Sequence, residues 1–181
     1  MISAIITHLD AARRLEATLA ALAPAAIDGL VREALLVDAG ADEAIRDAAD
    51  DAGAALVPAS SEPEGLAAAG TAARGTWLLI LPCGVRLEAR WEPAARRHIE
   101  RYPSHGAWFA LAADADGLSA RLTEAGAAVA AGWLGRPGPR QGLLLTRQHF
   151  TRALGGAASI DHASLVRRVG PLRPLGVKAL S

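Results

Sequence analysis

Four times in the first half of the chain, an apolar run is followed by a stretch with helical spacing, and nothing constrains the fold more. Ile2 to Thr7 is rich in β-branched residues and reads as a strand. Leu15, Leu19 and Leu22 then recur at helical spacing between Ala11 and Ala23, with Asp10 placed to cap that helix and Pro24 to end it. Arg32 to Asp38 is a second strand, followed by a helix from Asp42, its cap, to about Asp51, where Gly53 stops it. Ala54 to Pro58 is a short third strand, Ser60 to Gly65 a polar loop, and Leu66 to Arg74 an alanine-rich helix. Thr76 to Leu81 is a continuous apolar run between glycine and proline, the pattern of a strand buried on both faces. Such alternation predicts an α/β fold: a mostly parallel, Rossmann-like central sheet with helices on both faces, in a single domain.

The second half is more broken. Trp91 to Tyr102 reads as a helix with a basic face, Trp108 to Ala112 as a strand, and Leu118 to Ala131 as a helix. A Gly/Pro loop from Gly135 to Arg140 leads to a strand from Gln141 to Thr146. Helices follow at Arg147 to Leu154 and Asp161 to Val169, and Pro171 to Ser181 reads as an irregular tail.

Right-handed crossovers bring the loops after parallel strands to one edge of the sheet. His8, Asp10, Asp38, Asp42 and Cys83 are therefore expected together there, where ligands bind in open α/β sheets. Several ligand classes drop out at once. The first strand-to-helix loop has no glycine, so the dinucleotide fingerprint is missing, as are the phosphate-loop and nucleophile-elbow motifs and His-Glu-x-x-His. Net charge is zero, which argues against nucleic acid and against a polybasic membrane anchor. The single cysteine, Cys83, forms no internal disulfide, and no stretch has the length and apolarity of a membrane span or secretory signal. A reduced, cytoplasmic protein is expected, as monomer or homodimer.

Individual residues leave alternatives open. Asp38 can accept from a base or ribose, or cap its own turn. His8 either lines the pocket or is solvated. Asp114 and Asp116 read as a turn rather than a metal site, because a glycine follows. Arg136 and Arg140 either grip a diphosphate or solubilise their loop. Asp161 and His162 either supply a general base or begin a helix.

Taken in order, six blocks resemble the family 2 glycosyltransferases of the GT-A fold, and in particular a small bacterial branch found beside radical-SAM and selenoprotein genes. Ser3-Ala-Ile-Ile-Thr-His-Leu-Asp10 is similar to the family opening Ser-Val-Ile-Ile-Pro-Thr-Leu-Asn. Leu35-Leu-Val-Asp-Ala-Gly40 is similar to Val-Val-Val-Asp-Gly-Gly. Ala69 to Leu81, with Arg86, Leu87 and Trp91 beyond it, resembles the stretch that carries Ala-Arg-Gly-Asp-Trp-Leu-Leu-Phe-Leu. Gln141 to Arg147, then Phe150 and Leu154-Gly-Gly156, and finally Ile160 to Arg168 also have counterparts.

The resemblance implies transfer of a sugar from a nucleotide-sugar, above all a UDP-sugar, to an unknown acceptor. It assigns the nucleotide to Thr7, His8, Asp10, Asp38, Cys83 and Gly84, with Asp38 on the nucleoside. It assigns the catalytic base to Asp161 or His162. Mg²⁺ or Mn²⁺ is usual in the family, held by an (Asp or His)-Ala-Asp-Thr motif after the fourth strand. Here that motif is Pro82-Cys83-Gly84-Val85, which assigns no metal ligand. Two expectations follow: a metal-free transferase in which Arg136 and Arg140 hold the diphosphate, or a catalytically inactive relative with a binding or assembly role. A nucleotidyltransferase fits less well, because it also needs a metal carboxylate and a glycine-rich, basic first loop.

Overall fold

The computed structural model describes residues 1–112, 137–138 and 141–180. It contains strands β1 (Ile2–Thr7), β2 (Val31–Asp38), β3 (Ala55–Pro58), β4 (Trp77–Pro82), β5 (Arg86–Leu87), β6 (Gly106–Ala112), β7 (Leu143–Thr146) and β8 (Leu172–Leu180). The helices are α1 (Ala12–Ile27), α2 (Glu43–Asp51), α3 (Glu62–Ala72), α4 (Trp91–Arg101), α5 (Arg147–Leu154) and α6 (His162–Arg168). The helix expected at Leu118–Ala131, and Asp114, Asp116, Arg136 and Arg140, lie outside the described residues.

One eight-stranded sheet runs in the order β3-β2-β1-β4-β7-β6-β8-β5. The parallel half is the one the alternation predicts: β1 pairs with β2 and β4, and β2 with β3, all parallel. β7 runs antiparallel to both β4 and β6, β6 and β8 are parallel, and β5 is antiparallel to β8. Every residue of β1 and β4 is buried. Because strand side chains alternate between faces, the two strands feed two cores. Ile2, Ala4, Ile6, Leu79 and Leu81 pack with Leu15 and Leu22 of α1, Ile45 of α2 and Trp91 of α4. Ile5, Leu78 and Ile80 pack with Leu66 of α3, Phe150 of α5 and Leu165 of α6.

At the N-terminal end of the strands, polar groups join β1, β2 and the start of β4. Buried Ser3 donates through Oγ to Glu33 at 2.5 Å and accepts the Gly75 N–H at 2.8 Å. Arg74 donates to Glu33 from its backbone and its guanidinium, at 2.7 and 2.8 Å. Burial works to raise the pKa of Glu33, but the bonds from Ser3 and Arg74 prevail and lower it.

Four local expectations need correction. Pro24 does not end the first helix, which continues to Ile27. Burial of Ala25 and the closing bonds Gly29 N–H to Ala26 O and Leu30 N–H to Ala25 O hold that last turn. Asp10 does not cap α1; the cap position is Ala11, without a side-chain bond, and the Asp10 carboxylate pairs with Arg14 instead. α3 begins at Glu62 rather than Leu66, because Pro63 falls in the first turn, where a missing N–H costs nothing. Pro171–Ser181 is not an irregular tail: Leu172–Leu180 forms β8. Pro174 fits there because β5 pairs only with Ala179 and Leu180, and the register with β6 shifts between Trp108 and Ala110. No helix among the described residues is long and apolar enough to cross a membrane.

Gly70 lets α3 approach α5: a Cβ there would lie 2.2 Å from the ring of the fully buried Phe150. Gly70→Ala is therefore expected to destabilise the protein by about 1–2 kcal/mol, overpacking outweighing the gain in helix propensity. A lower urea midpoint at unchanged slope, partly restored by adding Phe150→Leu, is the result to look for.

Candidate functional site

Strand order reverses between β1 and β4: β2 and β3 lie on one side of β1, and β4 on the other. A crevice outside the carboxyl ends of two such strands is the default ligand site of an open α/β sheet. At that place lie the loop after β1 and the turn after β4, joined by a Cys83 N–H to Thr7 O bond of 2.7 Å.

At the end of β1, His8 takes a left-handed backbone, φ 56°. A non-glycine residue held there stores strain of the kind that gathers at functional sites. Its ring is held from both sides: Nδ1 lies 3.1 Å from the Thr7 hydroxyl, and Nε2 lies 3.1 Å from Glu62 at the start of α3. Burial raises the pKa of Glu62, and the His8 charge opposes that rise. The N-terminus of α6 joins the same group, because the Ile160 N–H donates to Pro63 O at 2.9 Å.

His162 is buried there, and neither ring nitrogen has a hydrogen-bond partner among the described residues. Burial drives its pKa down to about 4; the nearby Gln141 main chain opposes this, a positive charge on His8 lowers it again, and Asp161 favours protonation more weakly still. Its neighbour Asp161 caps α6. Its two oxygens accept the Ser164 N–H at 2.8 Å and the Ser164 hydroxyl at 2.7 Å, and these bonds lower its pKa.

Asp38 is buried at the end of β2 and its bonds are local. Oδ1 accepts the Gly40 and Ala41 N–H groups at 3.1 and 2.7 Å, and Oδ2 meets Arg46 at 3.1 Å. The Ala41 bond above all, with Gly40 and Arg46, outweighs burial and lowers its pKa. Of the two readings open in the sequence, the turn cap is the one present here. None of these bonds reaches His8, Cys83 or Asp161. Asp42 caps α2 through Ile45, as expected.

The turn after β4 is where the resemblance puts a metal. Pro82, Cys83, Gly84 and Val85 offer no carboxylate, and burial raises the pKa of the Cys83 thiol, keeping it protonated. Above the turn lies a cation: Arg14 Nη2 donates to Cys83 O at 3.3 Å. Among the described residues no group of three or more His, Cys, Asp or Glu side chains could hold a metal. These residues do not fit Mg²⁺ or Mn²⁺, and no chemistry is routed through one.

Thr7, His8, Asp10, Cys83, Gly84 and His162 thus do collect at one edge, while Arg136 and Arg140 lie outside the described residues. Glu62 and Arg14 join them, and Arg46 joins Asp38, without having been singled out in the sequence. Arg14 left a signal, standing four residues after Asp10 on one helix face. Glu62 was hidden in a segment read as loop.

No protein-family model matches the sequence, and no curated protein matches it either. Solved structures do. Glucosyl-3-phosphoglycerate synthase from Mycobacterium tuberculosis, in complex with phosphoglyceric acid, superposes on 96% of this chain at TM-score 0.66 and 16% identity; 69% of that enzyme is covered. The fold is GT-A. The same enzyme with Mn²⁺, UDP and phosphoglyceric acid gives 96%, TM-score 0.65 and 16% identity, over 67% of its length. Mannosyl-3-phosphoglycerate synthase from Rubrobacter xylanophilus gives 97%, TM-score 0.63 and 14% identity, over 65% of its length. The present GT-A chain therefore spans about two thirds of these enzymes.

His162 makes stability depend on pH. Its folded pKa, about 4, lies below the unfolded value of 6.5, so the unfolded state binds the proton first. This contribution is complete above pH 6.5 and is lost as pH falls towards 4, by about 3 kcal/mol. Asp38, Asp161 and Glu33 also lose stability in acid, so the comparison is with His162→Leu. Its urea midpoint between pH 7 and pH 4 is expected to fall less than that of the wild type.

Proposed function

We propose that this chain binds a nucleotide-sugar, a UDP-sugar first among them, in the crevice between the ends of β1 and β4 and transfers the sugar to an acceptor hydroxyl. The observation that carries the reading is the position of Thr7–His8 and Pro82–Gly84 at the switch point of a GT-A fold that accounts for 96% of the chain. On this reading Asp38, at the adjacent strand end, meets the nucleoside after its Oδ2 exchanges Arg46 for the ligand. In the reaction the anomeric C–O bond to the diphosphate breaks and the nucleoside diphosphate leaves with the electron pair. The acceptor oxygen forms the new bond from the opposite face, with inversion, and its proton passes to a base.

Asp161 and His162 are the candidates for that base. Asp161 is exposed and bonded to Ser164. His162 stays neutral at physiological pH, with both ring nitrogens free of partners among the described residues. If Asp161 takes the proton, Asp161→Asn should keep the helix cap and stability but lose transfer, since asparagine caps as well as aspartate. Asp161→Ala should lose transfer and about 1 kcal/mol of stability as well.

A second reading, a GT-A protein that binds without catalysing, is favoured by the local bonds that occupy both Asp38 and Asp161. A thermal-shift screen of UDP-, GDP- and dTDP-sugars, with free nucleotide diphosphate measured alongside, decides between them. Bound donor at about 100 times its Kd should stabilise the protein by about 2.7 kcal/mol. Stabilisation with nucleotide release supports the transferase. Stabilisation without release under any acceptor supports the binding protein, and a flat response to every donor defeats the nucleotide-sugar reading.

A further inference from the structure

We propose that the guanidinium of Arg14 supplies the positive charge that meets the donor diphosphate, in the place where the fold's other members are expected to use a divalent cation. The inference rests on the nucleotide-sugar reading above and goes beyond it by naming the group that makes metal unnecessary.

Three observations converge on this side chain. The first is position. Arg14 bridges the two loops at the switch point: Nη1 donates to the Asp10 carboxylate in the loop after β1, and Nη2 to Cys83 O in the turn after β4. Asp10 thereby orients the fork, and the guanidinium makes no other hydrogen bond among the described residues, which leaves donor hydrogens for a ligand. The side chain is 53% exposed, so a ligand entering the crevice reaches it.

The second is the exchange with Gly84. A Cβ on Gly84 would stand 2.4 Å from Nε of Arg14, 2.7 Å from Nη2 and 2.9 Å from Cζ. The guanidinium fills the space into which a side chain at this position would project. Gly84 also has φ 85°, and its N–H donates to the buried Thr18 hydroxyl at 2.9 Å. The turn is thus pinned to the same helix that carries Arg14, which fixes the guanidinium and the turn relative to each other.

The third is charge. A guanidinium offers a planar fork that matches phosphate oxygens. Its contact with Asp10 is an exposed i,i+4 pair, of a kind that contributes little, so a diphosphate of higher charge can share or displace it. α1 adds to the same field, since it runs to Ile27 and its cap residue Ala11 provides no side-chain acceptor for the first N–H groups.

The test is calorimetric binding of UDP, GDP and dTDP to the full chain, each compared with its nucleoside, in EDTA and in Mn²⁺. At least one diphosphate should bind in EDTA, with no gain from Mn²⁺. Arg14→Met should weaken that diphosphate by roughly 10–100-fold, the range of a charge-assisted hydrogen bond, and leave the nucleoside unchanged. Arg14→Lys should recover part of the loss. Arg14 is a surface residue, and an unchanged melting temperature confirms that the variants fold. Tight binding that requires Mn²⁺ overturns the inference but leaves the nucleotide reading standing. Wild-type affinity of Arg14→Met in EDTA does the same and shifts the role to Arg136 and Arg140. Failure of every nucleoside and diphosphate to bind overturns the nucleotide reading itself.

Discussion

Burial of β1 and β4 on both faces is the constraint on which the rest of the structure depends. Two adjacent parallel strands with no exposed residue must have helices above and below, and the alternation of their side chains decides which helix meets which residue. α1, α2 and α4 take one face; α3, α5 and α6 take the other. A buried strand has no freedom to slip, because a shift of one residue would exchange its two faces. The loops leaving β1 and β4 are therefore set at fixed positions by hydrophobic packing rather than by the residues they carry.

Within that frame the polar groups divide into two kinds. Those at the starts of the strands, Ser3, Glu33 and Arg74, satisfy one another and close the sheet. Those at the ends are less complete. Among the described residues the ring nitrogens of buried His162 have no hydrogen-bond partner, Glu62 is partly buried against a left-handed His8, and the Arg14 guanidinium makes two bonds. Buried polar groups are ordinarily paired. Among the described residues, the Nε1 of Trp91, the Nδ1 of His149 and both ring nitrogens of His162 are the buried exceptions, and of these His162 lies beside the ends of β1 and β4.

The parallel half of the sheet was legible in the sequence because each of its strands is a short apolar run bounded by turn residues. β8 was not, because Pro171, Pro174 and Gly176 break every local strand signal and its pairing with β6 is set by tertiary packing. Pro63 misled in the same way, since a proline that starts a helix looks in sequence like one that ends a loop. Asp38, His8 and Asp161 could be named as residues, but their roles could not, because a carboxylate at a strand end serves a turn or a ligand equally well until its hydrogen bonds are seen. Arg14 showed locally only its spacing from Asp10; its relation to Gly84, far away in the chain, did not show.

That dependence bears on how such a site can change. With Arg14 above it, position 84 accepts a carboxylate only if the guanidinium first moves away, and a chain that lost Arg14 while keeping Gly84 would have neither a cation nor a ligand for one. The guanidinium is the far end of a flexible, half-exposed side chain and can turn away, so the lasting obstacle to a carboxylate at 84 is the left-handed backbone, φ 85°. The conformation of one glycine, rather than the charge above it, keeps a metal ligand out of this turn.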